Sequence, residues 1–318
     1  MYCQNSSRLV NSLLYVAVFC MSLGCSSQRK LQSDTEWNYQ EFRESQKSFQ
    51  SSDGEIKYID QGGGNVILLL HGVPTSSWVY RKMIGGLVEG GYRVIAPDML
   101  GFGSSDNPKG YDIYSAEQHG KRIIELMDSL QIDEWTHVMH DAGGIWTWEL
   151  LKNSPDRITN LILLNTIIYE EGFNPPIRIK EGGLAKFSMW LYKNGVSTNL
   201  LLKQLFKIGL KENNLTKSEI DGYRKPLREG KTLGFYYFLT TTCIEFPNYD
   251  STIQQVKVPV TVIWGEHDEM LKFEPQREKV MKGLKVKTEN IHIIDAKHFI
   301  QEEMPGKVDS LILEFIKE

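Results

Sequence analysis

Six short apolar runs, each breaking into a polar or glycine-rich loop, constrain the fold of this chain most strongly. They are Asn65-Val66-Ile67-Leu68-Leu69-Leu70, Arg93-Val94-Ile95-Ala96, Glu134-Trp135-Thr136-His137-Val138-Met139, Leu161-Ile162-Leu163-Leu164-Asn165, the segment from Val258 to Gly265, and Ile291-His292-Ile293-Ile294-Asp295. Mostly apolar runs of this length read as strands covered on both faces. Helical stretches between them, such as Ser115 to Leu130 and Gly143 to Leu151, supply the crossovers that parallel strands require. The pattern predicts an α/β fold: a mostly parallel central sheet with helices on both faces. In such sheets ligands bind beyond the carboxyl ends of the strands, so the polar residues that follow the runs are the candidates for chemistry.

One of these junctions is Met139-His140-Asp141-Ala142-Gly143-Gly144, where a strand passes directly into a helix. A sharp strand-to-helix turn lifts one side chain clear of the backbone and leaves free helix N–H groups beside it. Asp141 occupies that place, so the candidate nucleophile is a carboxylate. The competing reading makes Asp141 a helix N-cap. Asp268, in Gly265-Glu266-His267-Asp268, and His298, in Ala296-Lys297-His298-Phe299, follow the last two strands. The chain order is therefore nucleophile, acid, histidine. Glu266 and His267 compete with Asp268, and His137 and His140 with His298. His137 lies inside a strand, and His140, next to the nucleophile, is expected to point away from it.

The loops His71-Gly72-Val73-Pro74-Thr75-Ser76-Ser77-Trp78-Val79-Tyr80-Arg81, Pro97 to Asp106 and His298-Phe299-Ile300-Gln301-Glu302-Glu303 carry a resemblance. From about Lys57 to the C-terminus the chain resembles the α/β-hydrolase superfamily, within it the aspartate-nucleophile branch of haloalkane dehalogenases and epoxide hydrolases. The resemblance implies that Asp141 displaces a leaving group from an sp³ carbon, forming an alkyl-enzyme ester. His298, oriented by Asp268, would then activate the water that hydrolyses the ester. The backbone N–H groups of Val73 and Ala142 would receive the oxyanion. Ala142 and Val73 offer no side-chain donor to a departing halide, which leaves Trp190 of the cap as the candidate. Epoxide opening asks for a hydroxyl instead, for which Tyr192 and Tyr237, beside Tyr236, are the candidates. The implied partners are a small apolar organic substrate and water, with no cofactor and no metal.

The segment between Asn165 and Val258 is too long for an ordinary connection. Apolar residues recur there at helical intervals over Gly183 to Lys193, Thr198 to Gly209, Thr216 to Tyr223 and Thr232 to Thr242. Thr216 with Glu219 forms a capping-box signature. The expected organisation is a hydrolase core over 53–168 and 251–318, with a helical cap inserted at 169–250.

The chain has 318 residues and a net charge of −4, without the basic footprint of a nucleic-acid binder. Arg8, the apolar stretch Leu13 to Leu23 and Gly24-Cys25 resemble a bacterial lipoprotein signal. The apolar stretch is shorter than the roughly 20 residues that span a bilayer. The expectation is a signal peptide over 1–24, with an uncleaved anchor helix as the alternative, lipid attachment at Cys25, a flexible tether over 25–52, and residence at the cell envelope as a lipid-anchored membrane protein. With Cys25 lipidated and Cys3 and Cys20 removed, Cys243 has no partner for a disulfide. A second class of reading is a surface lipoprotein that binds an apolar ligand without turning it over. The presence of Asp141, Asp268 and His298 together argues against it.

Overall fold

The computed structural model describes residues 37–195 and 197–317. Its sheet contains eight strands: β1 Lys47–Gln50, β2 Glu55–Gly62, β3 Val66–Leu70, β4 Arg93–Pro97, β5 Trp135–Asp141, β6 Ile158–Thr166, β7 Val260–Gly265 and β8 Ile291–Ile294. They lie in the order β1-β2-β4-β3-β5-β6-β7-β8. Strands β3 to β8 pair in parallel, and β1 and β2 add an antiparallel edge.

The apolar runs form strands because both faces of the sheet are covered. Side chains along a strand alternate between faces. Accordingly Leu68 and Leu70 of β3 join one buried cluster and Ile67 and Leu69 the other, all four fully buried. Burial of such a side chain contributes about 1.5–3 kcal/mol. Helices Ala116–Ser129 and Gly143–Asn153 cover the first face with Ile123, Leu126, Trp148 and Leu150. Arg81–Glu89 and Pro305–Phe315 cover the second with Met83, Leu87, Val308 and Ile312.

Between β6 and β7 the chain forms the helices Gly183–Lys193, Thr198–Gly209, Lys217–Arg228 and Leu233–Thr240. Thr216 and Glu219 make the capping box expected for the third. That helix runs beyond Tyr223 and through Pro226, with Tyr223 and Leu227 both buried. It is fixed to the core by charge as well as by packing. Arg81, fully buried, donates to Glu219 of the cap at 2.7 Å and to Glu302, in the turn after His298, at 2.8 Å. Removing one partner of such a buried set typically costs about 3–5 kcal/mol.

The tether expected over 25–52 is corrected by the structure from Asn38 onward. Tyr39–Ser45 is a helix capped by Asn38, and Lys47–Gln50 pairs with β2. Tyr39 and Phe42 pack edge-on against Trp78, and Gln46 donates to Asp98 at 2.9 Å. These few anchors are spaced too widely within a polar stretch to register as periodicity. The signal segment 1–24 and Cys25 lie outside the described residues. Among the described residues no helix is long and apolar enough to cross a membrane.

Candidate active site

Strand β5 ends at Asp141, whose φ of 50° lies in the left-handed region. A non-glycine residue is held there only when its surroundings over-determine it. Here the next helix begins at once, at Gly143, and packs tightly: a Cβ on Gly144 would fall 2.5 Å from the Ile167 carbonyl oxygen. Gly72 matters in the same way, because a Cβ there would meet Asp141 Oδ1 at 2.2 Å.

The two carboxylate oxygens of Asp141 have different surroundings. Oδ1 accepts from the backbone N–H of Val73 at 2.7 Å, and the Ala142 N–H also bonds the carboxylate. Oδ2 faces His298 Nε2 at 3.6 Å. Burial raises the Asp141 pKa above its usual range, against the pull of His298 and of the two N–H groups. The other ring nitrogen, His298 Nδ1, donates to Asp268 Oδ2 at 2.8 Å. Burial disfavours the charged imidazole, but Asp268 and Asp141 outweigh it and raise the His298 pKa above 6.5.

Asp268 is itself held from three sides. The N–H groups of Met270 and Leu271 donate to Oδ1 at 2.8 and 3.0 Å, and Asn165 Nδ2 donates to Oδ2 at 2.7 Å. Asn165 sits near the end of β6 with φ of 35°, and its Oδ1 accepts from Gly265 N–H. A side-chain amide thus joins two strand ends under the acid. Sequence reasoning placed Asn165 only as the close of a strand. The one signal was a lone amide after four apolar residues.

The structure therefore brings Asp141, Asp268 and His298 together. The competing residues lie elsewhere. His137 bonds Trp135 and Thr147 beneath the elbow. His140 lies tilted against the His298 ring, with centroids 4.6 Å apart, and reaches the His298 carbonyl. Glu266 and His267 are at the surface beside Asp295.

A cavity of about 300 Å³ opens over Asp141 and His298. Val73, Pro74, Phe173, Phe235, Phe238, Leu239, Met270 and Leu271 contribute to its walls, and Leu201, Gln204, Leu205 and Ile208 come from the second cap helix. The three leaving-group candidates do not line it. Trp190 is 54% exposed and stacked on Phe187. Tyr192 packs near Phe235, and Tyr237 leans on Tyr111. The reason is rotational: successive helix positions differ by about 100°. Ala185 and Met189 are the buried residues of the first cap helix, and Phe235, Phe238 and Leu239 take the cavity side of the last. Apart from the triad, Gln204 and Cys243 are the polar side chains in the lining. Gln204 is exposed at the rim and Cys243 is buried. Burial and the nearby Asp141 charge push the Cys243 thiol up to about 12, so it stays protonated.

A parallel sheet with a strained acidic elbow, a histidine and a second acid beyond its strand ends defines a hydrolase-type site. Comparison with known proteins agrees: the family model for the alpha/beta hydrolase fold matches residues 65–305, and the chain belongs to that family. Haloalkane dehalogenase 2 of Mycobacterium tuberculosis is 29% identical over 280 residues, covering 84% of this chain and 93% of the relative. Epoxide hydrolase 2 of Siraitia grosvenorii is 28% identical over 298 residues, covering 81% and 93%. Among solved structures, the enol-lactonase of Burkholderia xenovorans superposes with a TM-score of 0.69 at 19% identity, over 86% of this chain and all of the other. An epoxide hydrolase of Vigna radiata superposes with a TM-score of 0.68 at 21% identity, over 86% and 97%. The protein is accordingly an α/β hydrolase with dehalogenase- and epoxide hydrolase-like relatives.

Proposed function

We propose that the protein hydrolyses carbon–halogen bonds through a covalent alkyl ester on Asp141. The observation that carries this reading is the division of labour at Asp141: Oδ1 is held by the Val73 backbone N–H while Oδ2, 3.6 Å from His298, is free to attack. Attack on an sp³ carbon expels the halide with the bonding pair and leaves Oδ2 alkylated. His298 Nε2 then takes a proton from water, the hydroxide adds to the ester carbonyl carbon, and charge collects on Oδ1 facing Val73 and Ala142. Collapse expels the alkoxide, which takes the proton from the His298 imidazolium and leaves as the alcohol, and the carboxyl proton passes to solvent, restoring the Asp141 carboxylate. Asp268 holds the ring tautomer and stabilises the imidazolium formed in that step. The apolar cavity suits a small apolar substrate, and dry walls strengthen these interactions.

Epoxide hydrolysis is the second reading, supported by the relatives of that name and by His140 before the nucleophile. It is less well supported because the leaving alkoxide needs a proton donor, and no tyrosine lines the cavity. A binding protein without turnover has no use for a His298–Asp268 pair joined at 2.8 Å beside a buried Asp141. Parallel assays of halide release from haloalkanes and diol formation from epoxides test the reading. Halide release that is lost in Asp141→Ala supports it; diol formation alone would shift the assignment to epoxides. At the N-terminus, Gly24-Cys25 supports lipid attachment at Cys25 and residence at the cell envelope. Mass spectrometry of the mature N-terminal peptide tests this, with a diacylglyceryl cysteine expected.

A further inference from the structure

The cap carries an outward face that the hydrolase reading leaves unused. Of the eight exposed large apolar side chains among the described residues, five fall between Ile177 and Leu200: Ile177, Leu184, Phe187, Trp190 and Leu200. On the helix Gly183–Lys193, Leu184, Phe187 and Trp190 line the side away from the buried Ala185 and Met189, and Leu184 is 71% exposed. Phe187 and Trp190 stack on each other at 5.8 Å. An apolar stripe of this kind on a soluble surface marks an interaction site.

The charge around it says what it meets. From residue 177 to 211 the chain has seven Lys or Arg against a single Glu, in a protein whose net charge is −4. Lys186, Lys193, Lys203 and Lys207 are all exposed, and none has a carboxylate partner among the described residues. Cationic residues beside exposed Leu, Phe and Trp on a helix are the pattern of an element lying in a bilayer interface. The cavity opens at the same place: Ile177 lines it while remaining exposed, and Gln204 lines it from the helix that exposes Leu200 and Lys203.

We propose that this face of the cap docks on an anionic lipid surface, so that an apolar substrate passes from the bilayer into the cavity. The inference does not depend on the chemistry assigned to Asp141. Nor does it need the Cys25 lipid, although an anchor there would hold the cap near such a surface.

The test reads Trp190 alone, as the difference in emission between the full chain and its Trp190→Phe variant, so an N-terminal anchor does not produce the signal. The probe is vesicles of 30% phosphatidylglycerol in phosphatidylcholine, with and without brominated acyl chains. The expected result is a blue shift and quenching by brominated lipid, lost with phosphatidylcholine alone and at 1 M salt. In Lys186→Glu/Lys193→Glu the partition constant onto the anionic vesicles, read from the quenching titration, falls at least fivefold, since each lysine at an anionic surface contributes roughly that factor to binding. Unquenched Trp190 emission on bound anionic vesicles overturns the proposal. Two other outcomes also overturn it: a vesicle-free shift that grows with protein concentration, which assigns the face to a second copy, and shielding of Trp190 from iodide in dilute solution, which assigns it to the chain's own N-terminal segment.

Discussion

His298 Nε2 lies 3.6 Å from Asp141 Oδ2, too far for a hydrogen bond, while its Nδ1 is bonded to Asp268 at 2.8 Å. In the proposed scheme the gap leaves Oδ2 unblocked for attack and the histidine unspent until water arrives. Each consequence of the two-step scheme follows from this spacing.

The pH dependence has a definite sign. In the proposed scheme ester hydrolysis needs neutral His298, whose pKa Asp268 and Asp141 raise above 6.5 against burial, so turnover falls as pH drops through the value His298 keeps in the alkyl-enzyme. Alkylation needs ionised Asp141, whose pKa burial raises above 3.8, so this step too is lost as pH falls through that raised value. Alkylation also removes the Asp141 charge that helps to raise His298, which lowers the base's pKa in the intermediate. Rapid-quench kinetics on falling pH read the two steps separately, the halide burst reporting Asp141 and the steady state His298, and the steady state is expected to slow as pH falls.

The lining predicts a steep dependence on the leaving group. Cys243 stays a neutral, weakly donating thiol, Gln204 sits at the rim, and the walls around Met270, Phe235 and Phe238 are apolar. A halide leaving into such surroundings gains little stabilisation, so linear bromoalkanes should turn over much faster than chloroalkanes of equal length. Phe235→Tyr adds a hydroxyl within the wall. It should raise chloroalkane turnover by about tenfold or more and narrow the ratio, since one well-placed donor is worth on the order of 100-fold.

Asn165 is expected to act through Asp268. Asn165→Ala removes one of the three donors that hold that carboxylate besides His298 and should slow ester hydrolysis by about tenfold, a fraction of what a general base contributes. The halide burst should keep its amplitude, an outcome that general loss of folding would not produce.

The parallel strands and the grouping of Asp141, Asp268 and His298 were legible because each of these residues closes or follows a mostly apolar run; β5 and β7 are almost wholly buried, while β8, partly exposed at the far edge, stands out through its isoleucines. Strands β1 and β2 form the partly exposed edge, with burial too mixed to stand out. The helix Tyr39–Ser45 was hidden in a polar segment because its hold on Trp78 spans distant residues. The cap helices were legible as helices, but their rotation was not. Trp190 sits beside the buried Met189 and faces the opposite way, and only packing decides which of the two neighbours turns inward.

The most direct measurement is intact-mass spectrometry of His298→Ala after exposure to a linear bromoalkane. The scheme predicts a mass gain of one alkyl group per chain, mapped to the Asp141 peptide and lost in His298→Ala/Asp141→Ala. No gain under conditions where the wild type releases halide, or a gain that survives the second substitution or maps to Cys243, would contradict covalent catalysis at Asp141.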